Sequence, residues 1–234
     1  MKTIVYPVFL SLLCLSCVNT HKLIQEGEYQ TAFEISLAKL ERNKVKTTDI
    51  DAFSIAFSQL QQEDKSRIAY LKASGRTDIW PSVYEEALQL KERQRKVEWA
   101  LNKLRRNGIN PGVEFYTVDE LILEAREKSA IYFYAKAQQD MVPARNGDRQ
   151  AARKAYYALK RCMEFISDYR DAAELSREMR DLGITHVLLQ THLHGADERL
   201  DARLFATLLG GKAFPVQHDW QMVHLKTDEE QEFH

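Results

Sequence analysis

Three cysteines are all that this chain of 234 residues contains, and two of them, Cys14 and Cys17, fall in its first seventeen residues. Only Cys162 remains for the body of the chain, which excludes an internal disulfide there. Cys162 follows Leu159 by three residues on a helical face, the place of a buried structural thiol rather than of a nucleophile. Charge of one sign is lacking as well: 33 Lys and Arg stand against 34 Asp and Glu, a net charge of -1, and no long basic run occurs. A grip on phosphates is therefore not expected, and no nucleic-acid partner follows. The longest apolar stretch, from Ile4 to Leu15, falls short of the roughly 20 residues that a spanning helix needs. Beyond the first seventeen residues there is no C-x-x-C pair, and nowhere is there a glycine-rich phosphate loop or a serine-histidine-acid arrangement. Neither an enzyme nor a cofactor is expected.

What is present is helical periodicity. Residues are 44% hydrophobic, enough for a sizeable core. Gly147-Asp148 makes a turn, and Ala152, Tyr156 and Leu159 follow on one face at helical spacing. Asp168 and Asp171 are placed to cap the next helix, on which Ala172, Leu175, Met179 and Leu182 line the buried side. Gly183 is expected to end it in a left-handed conformation. Upstream, Ile50, Phe53, Phe57 and Leu60 form a single stripe extended by Ile68 and Leu71 to Gly75. Trp80-Pro81 then opens a long helix buried at Val83, Ala87 and Leu90, with Trp80 expected as an anchor between helices. Val97, Leu101 and Leu104 continue its apolar face, and the basic residues among them read as a solvated face. Thr117 and Glu120 have the spacing of a capping box, opening a helix to about Met141 with Leu121, Ala125, Tyr132 and Phe133 on its face.

Near the start, Gly27-Glu28-Tyr29 forms a turn with Ala32 five residues after the glycine, the same step that separates Gly147 and Ala152. Gly27, Tyr29 and Ala32, and again Gly147, Ala152, Tyr156 and Leu159, resemble the core of a tetratricopeptide repeat. The resemblance covers residues 21 to 183, with degenerate units between, and implies stacked helical hairpins that present a surface to a protein or peptide. The adjacent aromatics Tyr132, Phe133 and Tyr134, with Tyr156 and Tyr157, read mostly as core. Alternate members point to opposite sides, so Tyr134 and Tyr157 are the candidates for partner contact.

Residues 1 to 17 are a leader: Lys2 supplies the positive end, an apolar stretch follows, and Ser16 precedes Cys17. This resembles a bacterial lipoprotein signal, which implies cleavage behind Ser16 and a lipid on Cys17. The alternative is an ordinary secretory leader or a short membrane anchor, and both readings take the chain out of the cytoplasm. Lipoproteins with degenerate tetratricopeptide-like helices resemble those of Gram-negative envelopes of the Bacteroidetes type, which implies an outer-membrane anchor facing the periplasm.

After Gly183 the apolar period changes from 3.6 to 2. Val187, Leu189, Thr191 and Leu193 fall on one face of a strand and His186, Leu188, Gln190, His192 and His194 on the other. A helix from about Asp197 to Leu209 follows, then a second strand from Trp220 to Leu225. With Phe233 one residue from the terminus, this part is expected to be truncated and frayed after about Lys226. His192 and His194 are the only weak candidates for a metal, since His186 lies roughly 20 Å from His192 along a strand; no resident metal is expected. The expected fold is therefore mainly α: a leader over 1–17, tetratricopeptide-like stacked hairpins over 18–183, and a small α/β appendage over 184–234. Two functions are open. One is a lipid-anchored envelope scaffold or adaptor that binds a protein or peptide; the other is an envelope enzyme or metal-binding accessory with its site in the appendage.

Overall fold

A computed structural model describes residues 19–42, 46–190 and 220–226. Among them are seven helices and one two-stranded sheet, so the chain is mainly α with a small sheet near its C-terminal end. The leader with Cys17, residues 191–219 with His192 and His194, and the end after Lys226 lie outside the described residues. No described helix is long and apolar enough to cross a membrane. The chain divides into two compact units, 1–129 and 130–234.

The first unit contains α1 (Thr20–Gln25), α2 (Tyr29–Glu41), α3 (Thr47–Ala73), α4 (Trp80–Arg106) and the first part of α5 (Asp119–Arg145). The stripe Ile50, Phe53, Phe57, Leu60 and Ile68 of α3 is buried as its spacing predicts, and so is Val83, Ala87, Leu90, Val97, Leu101 and Leu104 of α4. Pro81 sits in the first turn of α4, where its missing N–H costs no ladder bond. Two apolar clusters result. Phe33, Phe53 and Phe57 pack with Val97 and Leu101, and Ile68 packs with Val83, Leu90, Val118 and Ala125. Trp80 lies partly buried against the second cluster, with the Lys128 ammonium 4.1 Å from its ring centre.

At the start of α3 one carboxylate ties three segments together. Asp49 is buried and accepts from Thr20 Oγ1 at 3.0 Å, Lys39 Nζ at 2.7 Å and the Lys46 N–H at 3.3 Å. Burial pushes its pKa up, yet the Lys39, Lys46 and Thr20 donors outweigh that and hold it below 3.8. A depressed folded pKa contributes stability that is present above the unfolded pKa and is lost as pH falls through the folded one. Asp49→Asn is therefore expected to cost about 2 kcal/mol at neutral pH, the range for hydrogen bonds to a charged group. Urea melts at pH 7 and in acid check this, since the two proteins should converge once the wild-type carboxyl is protonated.

The second unit holds the rest of α5, with α6 (Arg149–Phe165), α7 (Ala172–Gly183), β1 (Thr185–Gln190) and β2 (Gln221–Lys226). Helix α5 runs past Met141, where its end is expected, to Arg145 with Pro143 inside it. So near the C-terminal end a proline removes a single ladder bond and does not stop the helix. Gly147, at φ 96°, turns the chain, and the Asp148 carboxylate caps α6 by accepting from Gln150 N and Ala151 N. The core is Tyr134, Ala137, Met141, Ala152, Ala155, Leu159, Cys162 and Met179. Ala152 is fully buried there. Ala152→Leu should overpack this core and lower stability by about 1–3 kcal/mol, read as a drop in melting temperature.

Two expectations at the ends of α7 are corrected. Asp171 occupies the cap position but its side chain makes no cap bond, because its Oδ1 accepts instead from the Tyr134 hydroxyl at 2.5 Å. Gly183 is not in the left-handed region: it is the last residue of α7, and its missing Cβ makes room for a tryptophan ring. Strands β1 and β2 pair in parallel, Thr185 opposite Gln221 through Gln190 opposite Lys226. The second strand thus runs one residue beyond its expected end, and residues 191–220 exceed the dozen or so that a parallel crossover requires. Trp220, just before β2, packs edge-on against Tyr156 and Tyr157, and its backbone carbonyl accepts from the Thr185 N–H at 2.8 Å.

Candidate functional site

Helix α4 has a second face. Leu88, Glu92, Arg95 and Trp99 stand at 0, +4, +7 and +11, one side of a helix of 3.6 residues per turn. Leu88 (39%) and Trp99 (49%) are large apolar residues left exposed on it. A groove of about 430 Å³ lies along one flank, between Gln30, Phe33, Glu34 and Leu37 of α2 and Leu88, Glu92, Arg93 and Lys96 of α4. A second, of about 530 Å³, lies along the other, between Leu88, Lys91, Glu92, Arg95 and Glu98 and residues 115–119. The two share Leu88 and Glu92, which stand on the exposed face of α4 as the ridge between them.

The far wall of the second groove is the connection between α4 and α5. Two glutamines fix it: Gln61 of α3 donates to the Glu114 carbonyl at 3.2 Å and accepts from the Tyr116 N–H at 3.0 Å. Gln94 of α4 donates to the Tyr116 carbonyl at 2.7 Å and to Gln61 Oε1 at 2.9 Å. Phe115 packs edge-on against Phe57, ring centres 5.8 Å apart, and the Lys65 ammonium stands over Tyr116. Both aromatics keep more than a third of their surface exposed, Phe115 at 42% and Tyr116 at 38%. Charge along the groove is mostly paired. Arg95 holds Glu92 through two hydrogen bonds of 2.8 Å, which lowers the Glu92 pKa, and Lys91 pairs with Asp119. Glu98 has no ion pair among the described residues. The two grooves thus combine the exposed Leu88, Phe115 and Tyr116 with side-chain amides and with charges, of which Glu34, Lys96 and Glu98 have no ion pair among the described residues.

Of the residues singled out in the sequence, Tyr134 and Tyr157 can be placed. Tyr134 is not a surface residue: it is 7% exposed, its ring packs on Tyr169, and its hydrogen bond to Asp171 pushes its pKa up. The reason is that the turn between α6 and α7 folds back over α5, with Arg170 in a positive-φ conformation and its guanidinium against both rings. Tyr157 is 52% exposed and accepts from Trp220 Nε1 at 3.0 Å. Its ring therefore also serves to hold the sheet against α6. Cys17, His192 and His194 lie outside the described residues, and among those described no three His, Cys, Asp or Glu side chains gather as a metal would need. Cys162 is buried, and desolvation pushes its pKa up to about 11, which keeps it a thiol.

Sequence reasoning missed Leu88, Gln61, Gln94 and the segment at Phe115. Gln61 and Gln94 carry no pattern that would have found them. The connection itself did carry a signal: residues 107–118 form a long loop with the adjacent aromatics Phe115 and Tyr116, and loops of such length are commonly functional. No protein-family model, characterised protein or solved structure matches the chain.

Proposed function

We propose that the chain is a lipid-anchored adaptor of the bacterial cell envelope that holds a protein or peptide partner against the outer face of α4. The observation that carries this reading is the pair of grooves that flank the exposed face of α4, with Leu88 lining both. A partner laid over that ridge would bury Leu88 as an apolar anchor with a groove on either side, the arrangement in which a few buried contacts supply most of the binding energy. The hairpins add support: Gly27 and Gly147 both turn in the left-handed region, and Ala32 and Ala152, five residues on, are both fully buried. This is what a tetratricopeptide-like unit would require. The anchor rests on the leader, in which a positive residue, a short apolar stretch and Ser16-Cys17 follow in order. A single chain gives weak attachment, so a diacylated or triacylated cysteine is the form expected to hold the protein at the membrane.

Cys17→Ser is expected to move the protein from the membrane fraction to the soluble one and to abolish fatty-acid labelling. Label persisting on that variant would contradict the anchor. For the partner, Leu88→Asp should eliminate co-purification from the native membrane while leaving the melting temperature unchanged. Undiminished recovery of the same partner would contradict the surface.

A further inference from the structure

Trp99 is half exposed and lines neither groove. It stands at the far end of the outer face of α4, on which Leu88, Glu92, Arg95 and Trp99 follow at steps of four, three and four residues. That alternation is the seam of a coiled coil, the a and d positions of the heptad, and all four side chains are exposed. Reversed, the seam is complementary to itself: its steps read the same in both directions, its ends are apolar, and its middle holds one acid and one base. Turned end for end against a copy, it sets Leu88 against Trp99 and Glu92 against Arg95. Lys91 and Glu98 edge the seam on one side, and the same reversal brings each near the other in the second copy. A parallel pairing would instead place Glu92 on Glu92, Arg95 on Arg95 and Lys91 beside Lys96. Glu85 and Asn102, the next seam positions outward, are polar and exposed, so the apolar contact ends there.

We propose that the partner of this face is a second copy of the chain, docked through α4 as an antiparallel pair about a twofold axis that passes between Glu92 and Arg95. Each copy then buries Leu88 beside the partner's Trp99, and Glu92 meets the partner's Arg95. Within each chain Arg95 already holds Glu92 through two hydrogen bonds of 2.8 Å, so the two bridges join in a ring of four alternating charges. Glu98, which has no ion pair among the described residues, gains the partner's Lys91, which keeps Asp119 on its other side. Charge in the middle layers lowers affinity and fixes orientation. Four layers make a weak pair in dilute solution, and a lipid anchor that confines both copies to one membrane raises their effective concentration. This deepens the adaptor reading, by naming the partner of the same face, and rests on it.

For the test, two full-length proteins with different tags, one Leu88→Cys and one Trp99→Cys, are made together in the native cells, and the membranes are treated with a mild oxidant. Cys162 is buried and takes no part, and the unaltered protein serves as the blank. An antiparallel pair brings residues 88 and 99 of opposite copies within the roughly 7 Å between Cα atoms that a disulfide needs. It holds the two copies of residue 88 about 16 Å apart along the seam, the rise of the helix between Leu88 and Trp99. The expected product is therefore the mixed dimer alone, with neither protein linked to its own kind. Glu92→Arg introduced into both proteins sets bases together and should lower the linked fraction about tenfold, and adding Arg95→Glu should restore it. All these positions are exposed, so the variants should fold. Linkage of Leu88→Cys to itself, or a doubly exchanged protein that links no better than Glu92→Arg, would overturn the antiparallel pair. No linked dimer at all would overturn self-association. Capture of a different protein by a photoreactive residue at Leu88 would then leave the adaptor reading standing, and capture of none would end both.

Discussion

Replacing Arg93 by methionine is expected to cost about 2–3 kcal/mol at neutral pH, because it would take from a buried carboxylate one of its two arginine partners. Asp64 lies on α3 between Leu60 and Ile68, on the same stripe, with only 2% of its side chain exposed. Its two oxygens are taken by Arg93 from α4 and Arg67 from α3, and Arg67 reaches on to Glu86 at 3.1 Å. The ion pair stands between the cluster around Phe53 and Phe57 and the cluster around Ile68 and Leu90. Burial pushes the Asp64 pKa above 3.8, against the pull of Arg93 and Arg67. A raised folded pKa means that this group's contribution is greatest below 3.8 and falls as pH rises through the folded value. In Arg93→Met that value rises further, so the loss should shrink in mild acid as the carboxyl takes up a proton. The double variant Asp64→Leu, Arg93→Met should recover most of the stability, since a buried pair exchanged for apolar groups is often neutral. Chemical denaturation of the two variants across pH gives the answer. A single variant as stable as wild type at pH 7 would show that Asp64 is solvated.

The second large effect is expected at Gly183. A Cβ there would stand 2.7 Å from Trp220 Cζ3 and 3.1 Å from Arg153 Cγ. Arg153 has little room to yield, because its Nε donates to the Gly183 carbonyl at 2.9 Å and a terminal nitrogen donates to Thr185 Oγ1 at 3.0 Å. Trp220 is backed by Tyr156 and Tyr157, ring centres 5.1 and 5.7 Å away. Gly183→Val should therefore expel the tryptophan, at a cost on the order of 3 kcal/mol, comparable with losing a large buried side chain. The strands should come away before the helices do. Hydrogen exchange would show β1 and β2 losing protection while α6 and α7 keep theirs, and the Trp220 emission would shift to the red. Unchanged exchange in the strands would mean that the sheet is held by something other than this packing.

Both predictions fall where sequence reasoning was incomplete, and for related reasons. The apolar stripe of α3 was legible at Ile50, Phe53, Phe57 and Leu60 because each is apolar at helical spacing. Asp64 continues that stripe, but a carboxylate at a core position is indistinguishable in sequence from one on the solvated face until Arg93, on another helix, is seen against it. Gly183 was legible as the end of a helix and misread in its reason, since a glycine that leaves room for Trp220, distant in sequence, looks the same as one that turns the chain. Tyr134 failed in the same way. Alternation within an aromatic run says that neighbours diverge, and which of them faces water depends on the turn at Tyr169 and Arg170 that covers it. The candidate site was the least legible of all, because its two grooves are made by exposed residues of α2, α4 and a loop that no local period connects.

The most direct test of the partner-binding surface is site-specific photocrosslinking in the cells that make the protein, with a photoreactive amino acid placed at Leu88 and, in a separate strain, at Tyr70. Both positions are exposed, Tyr70 on α3 and outside the two grooves. A discrete adduct of one partner from Leu88, and none from Tyr70, is the expected result. No adduct from Leu88, or the same adducts from both, would contradict the account.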